Sequence, residues 1–392
     1  MKVDIILKNG RVISEANGLD ETADVAIADG KIAAIGRNLQ WEAPDNQGDF
    51  KFVPEIADVS GCVVVPGLID SHVHVFQKGC FGAVDADTAL FPTGCTCGID
   101  AGSAGILNYD AFSELAVRRS ASDVRALLNI SPVGLGMGHY FPENADPRYY
   151  DESGIEKCLA EHPGEILGFK LRINRRVIGE LGTAPLERTV AAAERFGLPV
   201  VIHANDPFAE QTVVLDILRP GDVYAHVFGG KGYTVIDESG RVKECVKRAR
   251  RRGVVFDSAN GGGNFSWQVY DAACSEGFWP DIISSDITPL TFNRGPMYSL
   301  AFTMSKYLNF GMSLKEVIGA VTSVPAKVYG LNSGALYVGA DADIAVFRET
   351  EAGPVKFYDA AGGQYREGNI LLKPMMTIRK GTIMFRDISS CV

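Results

Sequence analysis

The sequence lacks the patterns that mark disulfide-stapled, zinc-ribbon or membrane proteins. Its eight cysteines are scattered over 392 residues, and no two stand in the C-x-x-C spacing of a zinc or redox site. No apolar run is long enough to cross a membrane, and the first residues lack the apolar core of a signal peptide. We therefore expect a cytoplasmic protein in a reducing compartment, with no membrane partner.

An excess of positive charge is also missing. The chain has 38 lysines and arginines against 48 acidic residues, a formal net charge of −10, so we expect no nucleic-acid partner. Hydrophobic residues make up 46% and charged residues 22% of the chain, which is typical of a globular enzyme with a large core. We expect a small-molecule substrate and a homo-oligomeric assembly.

Histidine is scarce, and two of its six copies lie close together. His72 and His74 end an apolar run, residues 64–74, that predicts a buried strand. Side chains at i and i+2 of a strand project to the same side, so the two imidazoles would reach one point. Such a pair supplies two nitrogen ligands to a divalent metal. A chance pair with one buried, hydrogen-bonded histidine is the alternative.

Three further metal-ligand residues also end apolar runs, namely His203, His226 and Asp286. Lys170 lies inside another apolar run, residues 165–172, where a buried ammonium would carry a desolvation cost or a depressed pKa. A neutral amine there can react with CO2 to give an anionic carbamate that bridges two cations. A lysine whose ammonium reaches solvent is the alternative.

The order His-x-His, Lys, His, His, Asp at strand ends resembles the amidohydrolase superfamily of metal-dependent hydrolases, in its two-metal form with a carboxylated lysine and in its dihydroorotase-like branch. Residues 66–74 are also similar to the first-strand signature of that superfamily. The resemblance covers nearly the whole chain and implies two divalent metal ions, which we expect to be zinc. It assigns His72, His74 and Asp286 to the more buried metal, His203 and His226 to the more exposed one, and a carbamate on Lys170 to the bridge.

The middle of the chain alternates short apolar runs with amphipathic helical stretches, the pattern of β/α units around a parallel sheet. It predicts an α/β fold, a (β/α)8 TIM barrel over residues 61–335, with its active site at the carboxyl ends of the strands. A doubly wound fold would need a glycine fingerprint after its first strand, which residues 67–74 do not contain. The predicted strands lie near 64–74, 94–100, 125–132, 165–172, 198–203, 222–227, 253–258 and 281–287, and the helical candidates are 110–120, 185–196, 208–218 and 241–251.

Both chain ends are rich in hairpin signals. The first 60 residues contain Asn-Gly and Asp-Gly pairs between apolar runs, at positions 9–10 and 29–30. The same pattern near the other end predicts a strand at 342–347 and a hairpin at 378–385. We therefore expect residues 1–60 and 336–392 to form one small discontinuous β-domain, and the resemblance implies a β-sandwich.

The resemblance implies hydrolysis of a carbonyl compound. Two neighbouring cations lower the pKa of a bridging water and polarise a carbonyl oxygen, so that the bridging hydroxide attacks the carbonyl carbon. The resemblance gives Asp286 a catalytic role beside ligation, because it would take the proton and pass it to the leaving group. The predicted activity is cleavage of an amide or ester bond of a small anionic acyl compound, as by a deacetylase or acyl hydrolase.

Candidates for substrate binding lie in the loops at the predicted barrel mouth. Arg172 shares a strand face with Lys170, and it either pairs with a substrate carboxylate or forms an ion pair at the rim. His139 and Tyr140 either donate hydrogen bonds to the substrate carbonyl or are ordinary loop residues. Asn260 opens a glycine-rich turn that allows close backbone approach to a ligand.

Three alternative functions stay open. Dihydroorotases usually carry H-x-H-x-R, and Phe76 occupies the arginine position here, which argues against a cyclic amidohydrolase of that type. Mononuclear deaminases often show H-x-x-E at the fifth strand, whereas Asp206 stands three residues after His203, so an aminopurine deaminase is the weaker enzymatic alternative. A non-catalytic scaffold of the same fold would lack several ligands, whereas all six positions are filled here.

Overall fold

The computed structural model describes residues 2–41, 54–138, 140–360 and 363–390. His139, a predicted substrate contact, therefore lies outside the described residues. The strands are β1 (Ile5–Ser14), β2 (Leu19–Ala28), β3 (Lys31–Gly36), β4 (Glu55–Asp58), β5 (Cys62–Pro66), β6 (Leu68–Val73), β7 (Cys95–Asp100), β8 (Asp123–Asn129), β9 (Ile166–Arg172), β10 (Val200–His203), β11 (Val223–Ala225), β12 (Val255–Asp257), β13 (Ile344–Tyr358), β14 (Tyr365–Arg379) and β15 (Thr382–Arg386).

The helices mostly follow the barrel strands, as in β/α units. The four helical candidates of the sequence correspond to α2 (Tyr109–Phe112) with the π-helical turn that continues it, α5 (Ala184–Phe196), α6 (Gln211–Ile217) and α7 (Glu244–Arg252). In α5, Pro185 lies in the first turn and Gly197 ends the helix in the left-handed conformation. The helices are α1 (Ala86–Leu90), α2 (Tyr109–Phe112), α3 (Glu152–Glu161), α4 (Arg175–Ile178), α5 (Ala184–Phe196), α6 (Gln211–Ile217), α7 (Glu244–Arg252), α8 (Trp267–Ser275), α9 (Leu300–Asn309), α10 (Leu314–Ala320) and α11 (Ser323–Tyr329).

The strands β6 to β12 form a parallel sheet in sequence order that closes into a barrel. An eighth segment, residues 282–287, closes the ring through parallel bridges from Ile282 to Asp257 and from Ile287 to Val73. The strands β6, β7 and β10 are buried along their whole length, because helices cover one face and the barrel interior the other. The predicted TIM barrel is confirmed, with its eighth strand reduced to single bridges.

The second sheet joins both ends of the chain. Its order is β15-β14-β13-β5-β1-β2-β3, and β4 also pairs with β1. The central strand β5 pairs antiparallel with β13 and parallel with β1, so early and late segments share one sheet and one apolar core. The additional β-domain is confirmed, whereas its limits at 60/61 and 335/336 stay a prediction. The strand β5 belongs to this sheet, and the chain enters the barrel after Gly67.

Within the described ranges, no helix is both long and apolar enough to span a membrane. The seven described cysteines are free thiols, six of them buried. They therefore contribute to the structure by packing rather than by cross-linking.

Candidate active site

The six predicted ligands converge at the carboxyl ends of the barrel strands. His72 lies in β6, Lys170 in β9 and His203 at the end of β10, while His226 follows β11. The ring centroids of His72 and His226 are 5.1 Å apart, and those of His203 and His226 are 4.2 Å apart. Because a parallel barrel gathers its carboxyl strand ends at one rim, residues distant in sequence become neighbours there.

Asp286 lies next to this group, in the segment of residues 282–287 that closes the barrel. Its backbone N–H donates to the carbonyl of His72 at 2.7 Å, so closure of the barrel fixes both residues. One potential ligand atom each from His72, His226 and Asp286 lies within 4.8 Å of the others. Asp286 Oδ1 is 3.3 Å from His74 Nε2, and Lys170 Nζ is 3.1 Å from His72 Nε2. His72, His226 and Asp286 form a group able to hold a metal ion.

Hydrogen bonds orient the histidines of the site. His226 Nδ1 donates to the carbonyl of Ala259 at 2.7 Å, so Nε2 keeps its lone pair. Within the part of the chain that the structure describes, this buried Nε2 has no hydrogen-bond partner. His74 Nδ1 lies 3.0 Å from Ser103 Oγ. A buried nitrogen without a partner costs free energy unless a ligand takes its lone pair, and a fixed tautomer is typical of metal-binding histidine.

A hydrogen bond that the sequence did not predict orients Asp286. Asn264 Nδ2 donates to Asp286 Oδ2 at 2.7 Å, and Asn264 Oδ1 accepts from Asn205 Nδ2 at 2.8 Å. The glycine-rich turn before Asn264 was the only sequence signal for this contact. The two asparagines hold one carboxylate oxygen and leave the other near the histidines.

The backbone around the ligands is strained and closely packed. His226 and Asp286 have φ values of 68° and 51°, in the left-handed region that residues other than glycine rarely adopt. Gly261 has a φ of +51°, and a Cβ there would lie 2.3 Å from Asp286 Oδ2. Gly102 has a φ of +85°, and its Cβ would lie 2.7 Å from Lys170 Cβ. Glycine is thus required where these loops touch the side chains of Asp286 and Lys170.

Burial sets the protonation of these groups. Burial lowers the pKa of Lys170 to about 8 and that of His226 to about 3, and it holds the pKa of His72 and His203 well below the usual range. Burial acts to raise the pKa of Asp286, but the hydrogen bond with His74 and the neighbouring histidines outweigh it, so the pKa falls. Neutral imidazoles and an ionised carboxylate are the forms that bind cations.

Two more carboxylates lie buried near the ligands. Asp257 Oδ2 is 3.8 Å from His72 Nδ1 and accepts a hydrogen bond from the Ser284 hydroxyl at 2.8 Å. Asp70 accepts from the backbone N–H of Ser285 at 3.0 Å. Burial raises the pKa of Asp257 to about 6 and that of Asp70 to about 7. Neither acid is among the predicted site residues. Asp257 lies beside the His72 ring, whose Nδ1 has no hydrogen-bond partner within the described residues.

Five of the six predicted ligands, all but His226, belong to the described lining of a cavity of about 580 Å³, and Arg172 lies on its wall. Arg172 Nε is 3.2 Å from Glu143 Oε2. Of the two roles expected for Arg172, the structure therefore contains the ion pair at the rim. Tyr140 is 73% exposed, and Asn260 is buried and accepts from the Tyr307 hydroxyl at 3.0 Å. Neither residue belongs to the described lining of the cavity.

Comparisons with known proteins agree with this geometry. The model of the amidohydrolase family matches residues 268–377. A deacetylase of Agrobacterium fabrum is 33% identical over 355 residues, which are 90% of this chain and 85% of that protein. A crystal structure described as an adenine deaminase has a TM-score of 0.88 at 30% identity and covers 98% of this chain and 100% of its own. One described as a dihydroorotase has a TM-score of 0.87 at 31% identity and covers 98% of both chains. The chain therefore belongs to the amidohydrolase superfamily, and it is a hydrolase.

Proposed function

We propose that this hydrolase is a two-metal deacetylase or acyl hydrolase that cleaves an amide or ester bond of a small anionic acyl compound. The observation that carries the proposal is the convergence of His72, His226 and Asp286 beside the buried amine of Lys170. Imidazole and carboxylate donors around a cavity suit metal-assisted hydrolysis. The likeness to a deacetylase over most of both chains supports the same activity.

The donor set fits two divalent cations, and zinc suits its nitrogen and oxygen atoms. In the proposal, His72, His74 and Asp286 would hold one cation, and His203 and His226 would hold the other. Lys170 would supply a further anionic ligand as a carbamate, formed when its neutral amine adds to CO2 and loses a proton. The lowered pKa of Lys170, about 8, supports this step because the amine loses its proton readily. When bound, the cations supply an activated water and a polarised substrate carbonyl.

Asp286 is the proton carrier of the proposed reaction. Asn264 holds Oδ2, while Oδ1 lies 3.3 Å from His74 and 3.7 Å from His72. In this position Oδ1 accepts the proton of the attacking water and returns it to the leaving nitrogen or oxygen. The lowered pKa of Asp286 keeps the carboxylate ionised, which is the form that can accept a proton.

Phe76 favours acyl cleavage over ring opening of dihydroorotate. Its side chain is 2% exposed and packs edge-to-face on Phe112 with ring centroids 5.4 Å apart. The position of the dihydroorotase arginine is therefore occupied by an apolar core residue in this chain. Arginine's bidentate hydrogen bonding to a substrate carboxylate has no counterpart at that point.

Aminopurine deamination is the second candidate, and the likeness to a structure described as an adenine deaminase favours it. Asp206 would have to replace the glutamate of the deaminase pattern. Its Oδ1 lies 3.5 Å from Arg175 Nε, so its carboxylate is already engaged by a cation. We rank deamination below acyl cleavage because Asp206 is paired with Arg175.

A substrate panel tests the proposal. The zinc-loaded protein is incubated with N-acyl amino acids, acylated hydroxy acids, cyclic ureides and aminopurines. We expect acetate release from the acyl compounds, and we expect His72→Asn to lose bound metal and activity together. His162→Asn is the matched control, because His162 is buried and bonded to Asp110 at 2.8 Å. Ammonia release from a purine, turnover of dihydroorotate without acyl cleavage, or unchanged metal content in His72→Asn would contradict the proposal.

A further inference from the structure

The wall of the cavity carries positive charge outside the ligand cluster. Arg172, Arg176 and Lys231 belong to the lining, together with Asp206 as the one described acid of that lining beyond Asp286. The excess is local, since the chain as a whole has a formal net charge of −10. The positive charge of this lining therefore has to be explained by what the cavity binds.

Two of these four side chains are neutralised by partners. The guanidinium of Arg172 pairs with Glu143, with Nε 3.2 Å from Oε2. Asp206 pairs with Arg175, whose guanidinium also lies over the Tyr233 ring at 5.2 Å from its centroid. These pairs cancel in charge, and they hold Arg172 and Asp206 in place.

Arg176 and Lys231 keep their charges. Over residues 2–41, 54–138, 140–360 and 363–390, neither side chain forms an ion pair, and both residues are exposed. Their segments are joined through Asp206, whose N–H donates to the carbonyl of Lys231 at 3.1 Å and whose carbonyl accepts from the N–H of Arg175 at 3.0 Å. Arg176 and Lys231 thus lie on neighbouring segments of one wall, without a described carboxylate to pair with.

We infer that Arg176 and Lys231 form the subsite that binds the carboxylate of the substrate, and that Arg172 has a positioning role through Glu143. The inference deepens the proposed function and rests on it. Two like charges beside a cavity repel each other, and an anion between them relieves that repulsion while gaining charge-assisted hydrogen bonds. A guanidinium and an ammonium together suit a carboxylate on the part of the substrate that remains after deacylation.

Charge-matched substrates test the subsite. Arg176→Gln, Lys231→Gln, their double variant and Arg172→Gln are compared on N-acetylalanine and on its neutral carboxamide, with acetate release as the readout in the zinc-loaded, full-length protein. We expect Arg176→Gln and Lys231→Gln each to lower kcat/KM on the acid by about tenfold, mainly through KM, because an exposed charged hydrogen bond is lost. On the carboxamide we expect a change of less than about twofold. Arg251→Gln on α7, paired with Glu244 away from the cavity, is the control.

Binding measured by calorimetry separates this inference from the proposed function. If no acetate is released but N-acetylalanine binds, and Arg176→Gln weakens its binding and not that of the carboxamide, the subsite stands and the proposed function fails. Acetate release with equal losses on the acid and the carboxamide would overturn the subsite and leave the function intact. A loss on the acid confined to Arg172→Gln would move the role to Arg172 and overturn the inference. Absence of both binding and turnover of N-acetylalanine would overturn it as well.

Discussion

Asn264 Nδ2 donates a hydrogen bond to Asp286 Oδ2 at 2.7 Å. The bond fixes the carboxylate that is the proposed proton carrier, and Asn205 in turn fixes Asn264 at 2.8 Å. A donor on a carboxylate stabilises its ionised form. The pair therefore fixes the position of Asp286, and its hydrogen bond adds to the effect of the neighbouring histidines on the ionised carboxylate.

Removal of this donor should change the pH profile of the enzyme. In Asn264→Ala the ionised form of Asp286 loses a hydrogen bond, so its pKa rises and the acidic limb of kcat/KM moves to higher pH. We expect kcat at the pH optimum to fall by about tenfold, the equivalent of one charged hydrogen bond. The profiles of the two proteins over the acid range provide the measurement. An unmoved acidic limb would show that Asn264 has only a structural role.

Gly261 should tolerate no side chain. Its φ of +51° and the 2.3 Å approach of a Cβ to Asp286 Oδ2 mean that alanine must displace the carboxylate or the loop. Because misplacement by about 1 Å costs on the order of a hundredfold in rate, we expect a loss of that order in Gly261→Ala. Gly263 is the matched control in the same turn, since a Cβ there has no neighbour within 4 Å. Equal activity of the two alanine variants would contradict the prediction.

The buried histidines should make the metal-free protein sensitive to acid. Burial lowers the pKa of His226 from 6.5 to about 3, so between these values the unfolded chain binds a proton that the folded chain does not. Its contribution to stability is complete above about pH 6.5 and is lost as the pH falls toward 3. We expect a slope on the order of 1 kcal/mol per pH unit for such a histidine. Denaturant unfolding at several pH values measures it, and His226→Asn should show a shallower slope.

The cluster of proposed ligands could be predicted from the sequence because two local signals coincide. An apolar run predicts a buried strand, and a histidine or acid at its end predicts a side chain at the rim where parallel strands finish. His72, His203 and His226 each carry both signals. The barrel then brings together residues that are far apart in the chain. The same reasoning places the chain ends in one sheet, since hairpin signals stand at both ends.

Contacts between strand ends and loops have no such periodic signal. Arg172 at the end of β9 pairs with the loop residue Glu143. The loop residue Asn264 bonds to Asp286 in the segment that closes the barrel, so both contacts form only after the barrel has closed. The segment that closes the barrel also differs from its prediction. Residues 282–287 form single bridges to both neighbouring strands, although their apolar run predicts a full strand. Asp286 and Ser285 in this segment bond to β6 through His72 and Asp70 instead.

Loss of the Lys170 amine should remove the proposed bridge and leave a space that a small anion can fill. Lys170 is 2% exposed and its Nζ lies 3.1 Å from His72 Nε2, so Lys170→Ala opens a gap among the proposed metal ligands. We expect the variant to bind less metal and to lose activity by at least about a hundredfold, as for loss of a metal ligand. Short carboxylates such as acetate or propionate should restore part of both, because they supply a replacement bridging anion. Metal content and acyl hydrolysis are measured with and without added propionate, and chloride at equal ionic strength is the control. Rescue by chloride to the same extent, or full activity without any anion, would argue that Lys170 bridges no metals.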